Sequence, residues 1–203
     1  MNICFLRFHR ISKALLYRPY YDNQRVWQRV SGYQATGTAI QNPFTFYYVQ
    51  NDDWSNTHSY QFWNKNFTTA VGVNNEETVK TIYSPSPSRY VEPKTAAFTR
   101  FTFTGENTAY SSQFNVSGIW DRGCNFYTNG WKTGNTIFID GLGYRDTYGG
   151  TGAVVRVGEE GVFWSAGASS TSNGRSLYFG SGSVNPQNTG NRSYGCSVRS
   201  VKE

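Results

Sequence analysis

Apolar and polar residues alternate with a period of two over short stretches, and Gly, Asn or Pro interrupts each stretch. QFNVSGIW from Gln113, NFYTNGWKTG from Asn125, NTIFIDGLGYR from Asn135, AVVRVGEEGVFWSA from Ala153, SLYFGSG from Ser176 and CSVRSV from Cys196 all follow this pattern. Alternation of this kind predicts half-buried β-strands separated by tight turns. Asn129-Gly130 and Gly149-Gly150 mark two of the turns. Earlier in the chain, NPFTFYYVQ reads as a strand opened by Pro43, and Pro85 and Pro87 impose extended backbone on the segment after Tyr83. Helical periodicity is confined to two places. Phe5, Phe8, Ile11 and Leu15 are spaced for a short amphipathic helix, and Pro93 followed by Ala96, Ala97, Phe98 and Phe101 predicts another over 93–101. Repeated short strands with one or two short helices give an expected α+β class with long ordered loops.

The segment from Gly161 to Val201 interleaves two kinds of residue. Phe163, Trp164, Leu177, Phe179, Val184, Val198 and Val201 form an apolar framework. Between them stand Gly167, Ser169, Ser170, Ser172, Asn173, Ser176, Tyr178, Gly180, Gly182, Asn188, Thr189, Gly190, Asn191 and Tyr194. Small adaptable polar groups with Tyr are the palette of binding loops carried on a rigid scaffold. These fourteen residues are the candidate ligand-binding set. Around Leu177, alternation predicts Leu177 and Phe179 on one face of a strand and Tyr178 and Gly180 on the other. Between Gly161 and Val201 there is no Asp, Glu, His or Lys to act as acid or base, so the segment reads as recognition rather than reaction.

Composition sharpens this reading. A chain of 203 residues with 17% aromatics is long enough to bury one sizeable core, and its 16% charged residues are too few for a disordered chain. The net charge is +6, with Arg7, Arg10, Lys13, Arg18, Arg25 and Arg29 concentrated near the start. That cluster reads as a solvated face or as an arm contacting a neighbouring chain, with no nucleic-acid partner expected. Arg7, His9, Arg10 and Lys13 break the early apolar run, so it lacks a signal-peptide core, and no stretch reaches the roughly 20 apolar residues of a membrane span. Membrane insertion is therefore not expected.

Cys4, Cys124 and Cys196 have neither metal-ligand spacing nor a CxxC pair. Glu92-Pro93-Lys94 places a cationic residue where a calcium site needs an oxygen donor, and Asn51-Asp52-Asp53 and Asp140 read as solvated acids. No metal and no cofactor are expected. Trp120, Trp131 and Trp164 read as aromatic anchors of a loop-rich fold, and Arg175 and Arg192 as braces for neighbouring loops.

The ordered pieces FWSA, NGR, LYF, SG, VNP and NRSYGCSVR resemble the C-terminal signature of proteins carrying the Fibrobacter succinogenes major paralogous domain. They are equally similar to the Bacteroides-type variable proteins of diversity-generating retroelements. KTIYSPSP near Lys80, AAFTRFT near Ala96, TIFIDGLGYR near Thr136 and NPFTFYYVQNDDW extend the resemblance over roughly residues 40–203. The resemblance implies a C-type-lectin-like fold in its formylglycine-generating-enzyme-like form. The expected organisation is an N-terminal arm at 1–25, helical in part, and a ligand-binding domain at 26–203 with a variable segment at 164–200.

In that family, adenine-directed mutagenesis of Asn codons reaches Ser, Gly, Thr and Tyr but never Lys, Glu, Gln, Met or Trp. From Val162 to Val201 there is no Lys, Glu or Met, and Trp164 and Gln187 fall at framework positions. The expected function is a ligand-binding display protein with a hypervariable surface for a protein or glycan on a cell surface, carried on a phage virion or a bacterial cell. The alternative is a non-diversified surface or adhesion domain. Cys124 and Cys196 do not stand in the cysteine motif of formylglycine-generating enzymes, so no enzyme activity is expected.

Overall fold

The computed structural model describes residues 57–146 and 152–203, together with the backbone of two short strands, β1 (Trp27–Arg29) and β2 (Phe46–Tyr48), which pair in parallel. The arm at 1–25, the candidate helix within it, and the Gly149-Gly150 turn lie outside the described residues.

The centre of the fold is a four-stranded sheet. Its strands are β9 (Glu160–Ala168), β10 (Asn173–Gly180), β11 (Val184–Asn191) and β12 (Ser197–Val198), in the order β11-β10-β9-β12. β9, β10 and β11 form an antiparallel meander, and β12 returns parallel to β9. A second sheet of β4 (Val116–Ser117), β5 (Gly123–Tyr127) and β6 (Thr136–Asp140) is antiparallel throughout. β7 (Tyr144–Arg145) pairs with β8 (Val154–Val155), and β3 (Tyr90–Val91) pairs with β13 (Val201–Lys202) near the end of the chain.

The alternation around Leu177 holds. Leu177 and Phe179 are fully buried, whereas Tyr178 is half-buried. One face of the central sheet therefore sends Phe163, Leu177, Phe179 and Val184 into a core completed by Phe98, Phe114, Phe126 and Ile139. The other face carries Val162 and Trp164, joined by Cys196 and Val198 and flanked by Trp63, Tyr144, Tyr178 and Tyr194. Two irregularities shape the meander. Pro186 has no N–H to give to the ladder, and the register slips there, between the Ser176–Asn188 and Tyr178–Asn185 pairs. On the other side the register slips between Ser176–Trp164 and Gly174–Ala168. At that point Ala166 N–H donates to the Pro93 carbonyl at 2.8 Å and the Ser165 hydroxyl donates to the Arg175 carbonyl at 3.0 Å.

The expected α+β class is corrected. Among the described residues the structure is nearly all β, with 37% strand, 4% helical residues and no helix of seven or more, so the C-type-lectin-like, formylglycine-generating-enzyme-like form is not what they show. The helix predicted over 93–101 is instead a run of turns ending in a 3₁₀ turn at Thr99–Phe101. Its first turn is already committed elsewhere. Ala96 N–H donates to the Asn74 carbonyl, and the Thr95 hydroxyl accepts from Asn74 N–H at 2.8 Å and reaches the Gly72 carbonyl at 3.0 Å. Glu92, just before it, is drawn into the interior, where Oε1 accepts from the Ser84 and Ser86 hydroxyls at 2.8 and 3.0 Å. These side-chain bonds compete with helical ones and win.

Cys124 and Cys196 are free and buried. Burial pushes the Cys124 thiol up to about 11 and the Cys196 thiol well above its ordinary value. The Tyr144 phenol is pushed up to about 12, by burial first and then by Asp146 and Glu160. In each case folding favours the protonated, neutral form. The stabilisation is full below the unfolded thiol value of 9.0 and is lost as pH rises through about 11, with Tyr144 following between 10.0 and about 12. Thermal midpoints should therefore hold up to pH 9 and fall from there to pH 12. Peptide mapping after maleimide treatment at pH 7 should show Cys124 and Cys196 labelled only in denaturant; native labelling of either would contradict their burial.

Candidate functional site

Most of the fourteen candidate residues fall into three places around the central meander, with Gly167 and Thr189 apart from them. Ser169, Ser170, Ser172 and Asn173 form the β9–β10 turn. The turn is ordered from within, since the Ser170 hydroxyl accepts from Ser172 and Asn173 N–H at 3.3 and 3.0 Å. Asn191 lies opposite Asn173 in the ladder. Arg192 holds this end: Nη1 donates to the Thr171 carbonyl at 3.1 Å and the His58 carbonyl at 3.3 Å, Nη2 donates to the Ser59 carbonyl, and the guanidinium lies over the Phe62 ring. Arg175 Nε donates to the Val71 carbonyl at 3.0 Å. Both arginines thus brace the fold. Gly182 sits exposed in the β10–β11 turn, at the far end of a strand roughly 23 Å long by its rise per residue.

The middle group shares one face of the sheet. Cross-strand pairs Gly174–Gly190, Ser176–Asn188 and Tyr178–Asn185 lie side by side on it, next to Trp164 and Val162. Several candidates here serve packing. Ser176 is only 2% exposed and accepts from Asn188 Nδ2 at 2.9 Å. A Cβ on Gly190 would stand 3.4 Å from the Trp164 ring and 3.5 Å from Tyr194, so this glycine leaves room for both aromatics. Gly180 is buried beneath the Tyr178 phenol. Gly167 lies away from this face in contact with Thr95 and Val71, and a Cβ there would approach their methyls to 2.4 and 2.6 Å. Thr189 is exposed but pairs with Arg175, on the opposite face from Asn188.

Over β9 this face is closed by Trp63, Tyr144 and Tyr194; over β10 and β11 it opens into a cavity of about 440 Å³. The far wall is the segment Asn107–Gln113, docked on the β11 edge by paired bonds of 3.0 Å between Thr108 and Val184. Tyr178, Ser183, Asn185 and Asn188 form the sheet side. Burial first, and Glu160 second, raise the Tyr178 phenol above its ordinary value. The structure thus unites Tyr178 and Asn188 of the candidate set with Asn107, Tyr110, Gln113, Ser183 and Asn185, which sequence reasoning passed over. The signal was there: NTAYSSQ from Asn107 uses the same Asn, Ser, Thr and Tyr palette as the tail. Among the described residues no group of His, Cys, Asp and Glu is placed to hold a metal ion, and no helix is long and apolar enough to cross a membrane. No protein-family model, curated protein or solved structure matches this chain.

Proposed function

We propose that this chain is a recognition domain that presents the open polar face of its C-terminal meander to a protein or glycan on a cell surface, from a phage virion or a bacterial cell. The observation that carries the reading is the division of labour along β10. Leu177 and Phe179 are spent on the core, while Tyr178, with Asn185 and Asn188 beside it, faces an open cleft. A face built this way can change its contacts without changing its core, which is what retroelement diversification of Tyr178 and Asn188 requires.

A second reading, a fixed adhesion surface, is favoured by the packing duties of Ser170, Ser176 and Gly190. The test is a library over Tyr178 and Asn188, with a companion library over Ser170, Ser176 and Gly190. Most members of the first should keep a thermal midpoint within a few degrees of the parent, because substitutions at partly exposed positions usually change stability by no more than about 0.5 kcal/mol each. Most members of the companion library should melt earlier. Binding of the parent to a panel of bacterial cells, read by flow cytometry, should drop at least tenfold in the first library. If no cell binds the parent, or if the library binds as the parent does, the recognition reading fails. A template repeat in the flanking DNA, differing at adenines from codons 164–200, separates the diversified form from the fixed one.

A further inference from the structure

We propose that the cleft between Asn107–Gln113 and β10–β11 takes one uncharged sugar ring; this deepens the recognition reading and rests on it. At about 440 Å³ the cleft lies within the roughly 300–1,000 Å³ of small-molecule sites. Its lining contains no Asp, Glu, Lys, Arg or His. A carboxylate or phosphate group would enter with no cation in the lining to replace its water, so the chemistry selects against an anionic ligand.

The amides are half used. Gln113 Oε1 accepts from the Thr108 hydroxyl at 2.8 Å, and Asn185 Oδ1 accepts from Gln187 N–H at 3.0 Å. Both side chains are thereby fixed with an NH₂ group left over. Asn188 is fixed through its donor to Ser176, leaving its oxygen. Asn107 is exposed and makes no side-chain hydrogen bond among the described residues. Held donors next to a held acceptor match the vicinal hydroxyls of a pyranose, each of which both donates and accepts. Tyr110, 71% exposed at the rim, and Tyr178 on the sheet side supply rings for the C–H face of a sugar.

A peptide strand is less well served. It would need free backbone groups at a sheet edge, and here Thr108 and Val184 bond each other.

The test titrates the ¹⁵N-labelled full chain with the methyl glycosides of glucose, galactose, mannose and N-acetylglucosamine, with methyl glucuronide, and with a capped Ala-Ser-Ala peptide. Saturable millimolar shifts of the Gln113 and Asn185 side-chain amides are expected with at least one neutral glycoside. Affinity should be at least tenfold weaker for the glucuronide and for the peptide, and at least tenfold weaker in Tyr110→Ala/Gln113→Ala. Asn107→Ala, which breaks no internal hydrogen bond, gives the same readout if the double variant melts early. Silence with all four neutral glycosides, equal binding of the glucuronide, tighter binding of the peptide, or binding untouched by both variants overturns the proposal. If the parent still binds cells through Tyr178 and Asn188 while every glycoside is silent, the sugar site falls and the recognition reading stands. If a glycoside binds at the cleft but cell binding is indifferent to this face, the recognition reading falls.

Discussion

Truncating Phe179 to alanine should lower the free energy of unfolding by roughly 3–5 kcal/mol, the range seen for large aromatics removed from a core. Phe179 has no exposed surface, and its ring meets Trp120 at 6.0 Å, Phe126 at 5.2 Å and Phe163 at 6.1 Å between centroids. Beneath it lies Gly161, where a Cβ would come within 2.3 Å of the ring. Contacts on so many sides leave little freedom to collapse into the cavity, so the loss should sit toward the upper end. Urea denaturation with an unchanged m-value measures it. A loss under about 1 kcal/mol would mean that the core does not centre on this ring.

The second large effect is at Trp164, only 2% exposed, whose ring meets Trp63 at 6.1 Å. Replacement by alanine should again destabilise by about 3–5 kcal/mol. A coupling experiment makes the claim specific to geometry. A Cβ on Gly174 would stand 2.9 Å from the Trp164 ring, so Gly174→Ala alone should overpack and destabilise by about 1–3 kcal/mol. In the Trp164→Ala background the obstacle is gone, and most of that penalty should vanish. Strict additivity in the double variant would show that the ring does not lie over this glycine.

Much of the C-terminal half was legible in the residues. Leu177 and Phe179 alternate with Tyr178 and Gly180, and that alone assigns their faces. Trp164 as an anchor and Arg192 as a brace follow from side-chain character, because a large apolar ring seeks burial and a guanidinium among Gly and Ser seeks carbonyls. β11 was harder to read. VNPQNTGN has Pro, Gly and three Asn, a composition poor for a strand, and it is extended because β10 and Thr108 supply its partners. The 93–101 helix failed for a related reason, since Thr95 and Ala96 are claimed by Asn74, twenty-one residues from Thr95. The cleft was invisible because its two walls, around Tyr110 and Tyr178, meet only when the chain folds. Gly167, Ser176 and Gly190 share the palette of the candidate set, but small size serves close packing as readily as it serves contact.

The order of the strands also fixes when the protein can fold. Phe98, Phe114 and Phe126 belong to the first part of the described chain, yet the core that covers them is closed by Phe163, Leu177, Phe179 and Val184. β3 likewise waits for β13, more than a hundred residues later. Consecutive hairpins such as β9–β10–β11 form quickly, whereas contacts between distant segments are slow. On the ribosome, aromatic residues from Phe98 to Phe126 would emerge well before the meander that buries them. Synthesis thus carries an interval in which these rings are open to chaperones, and the interval ends only when residues beyond Val184 leave the exit tunnel.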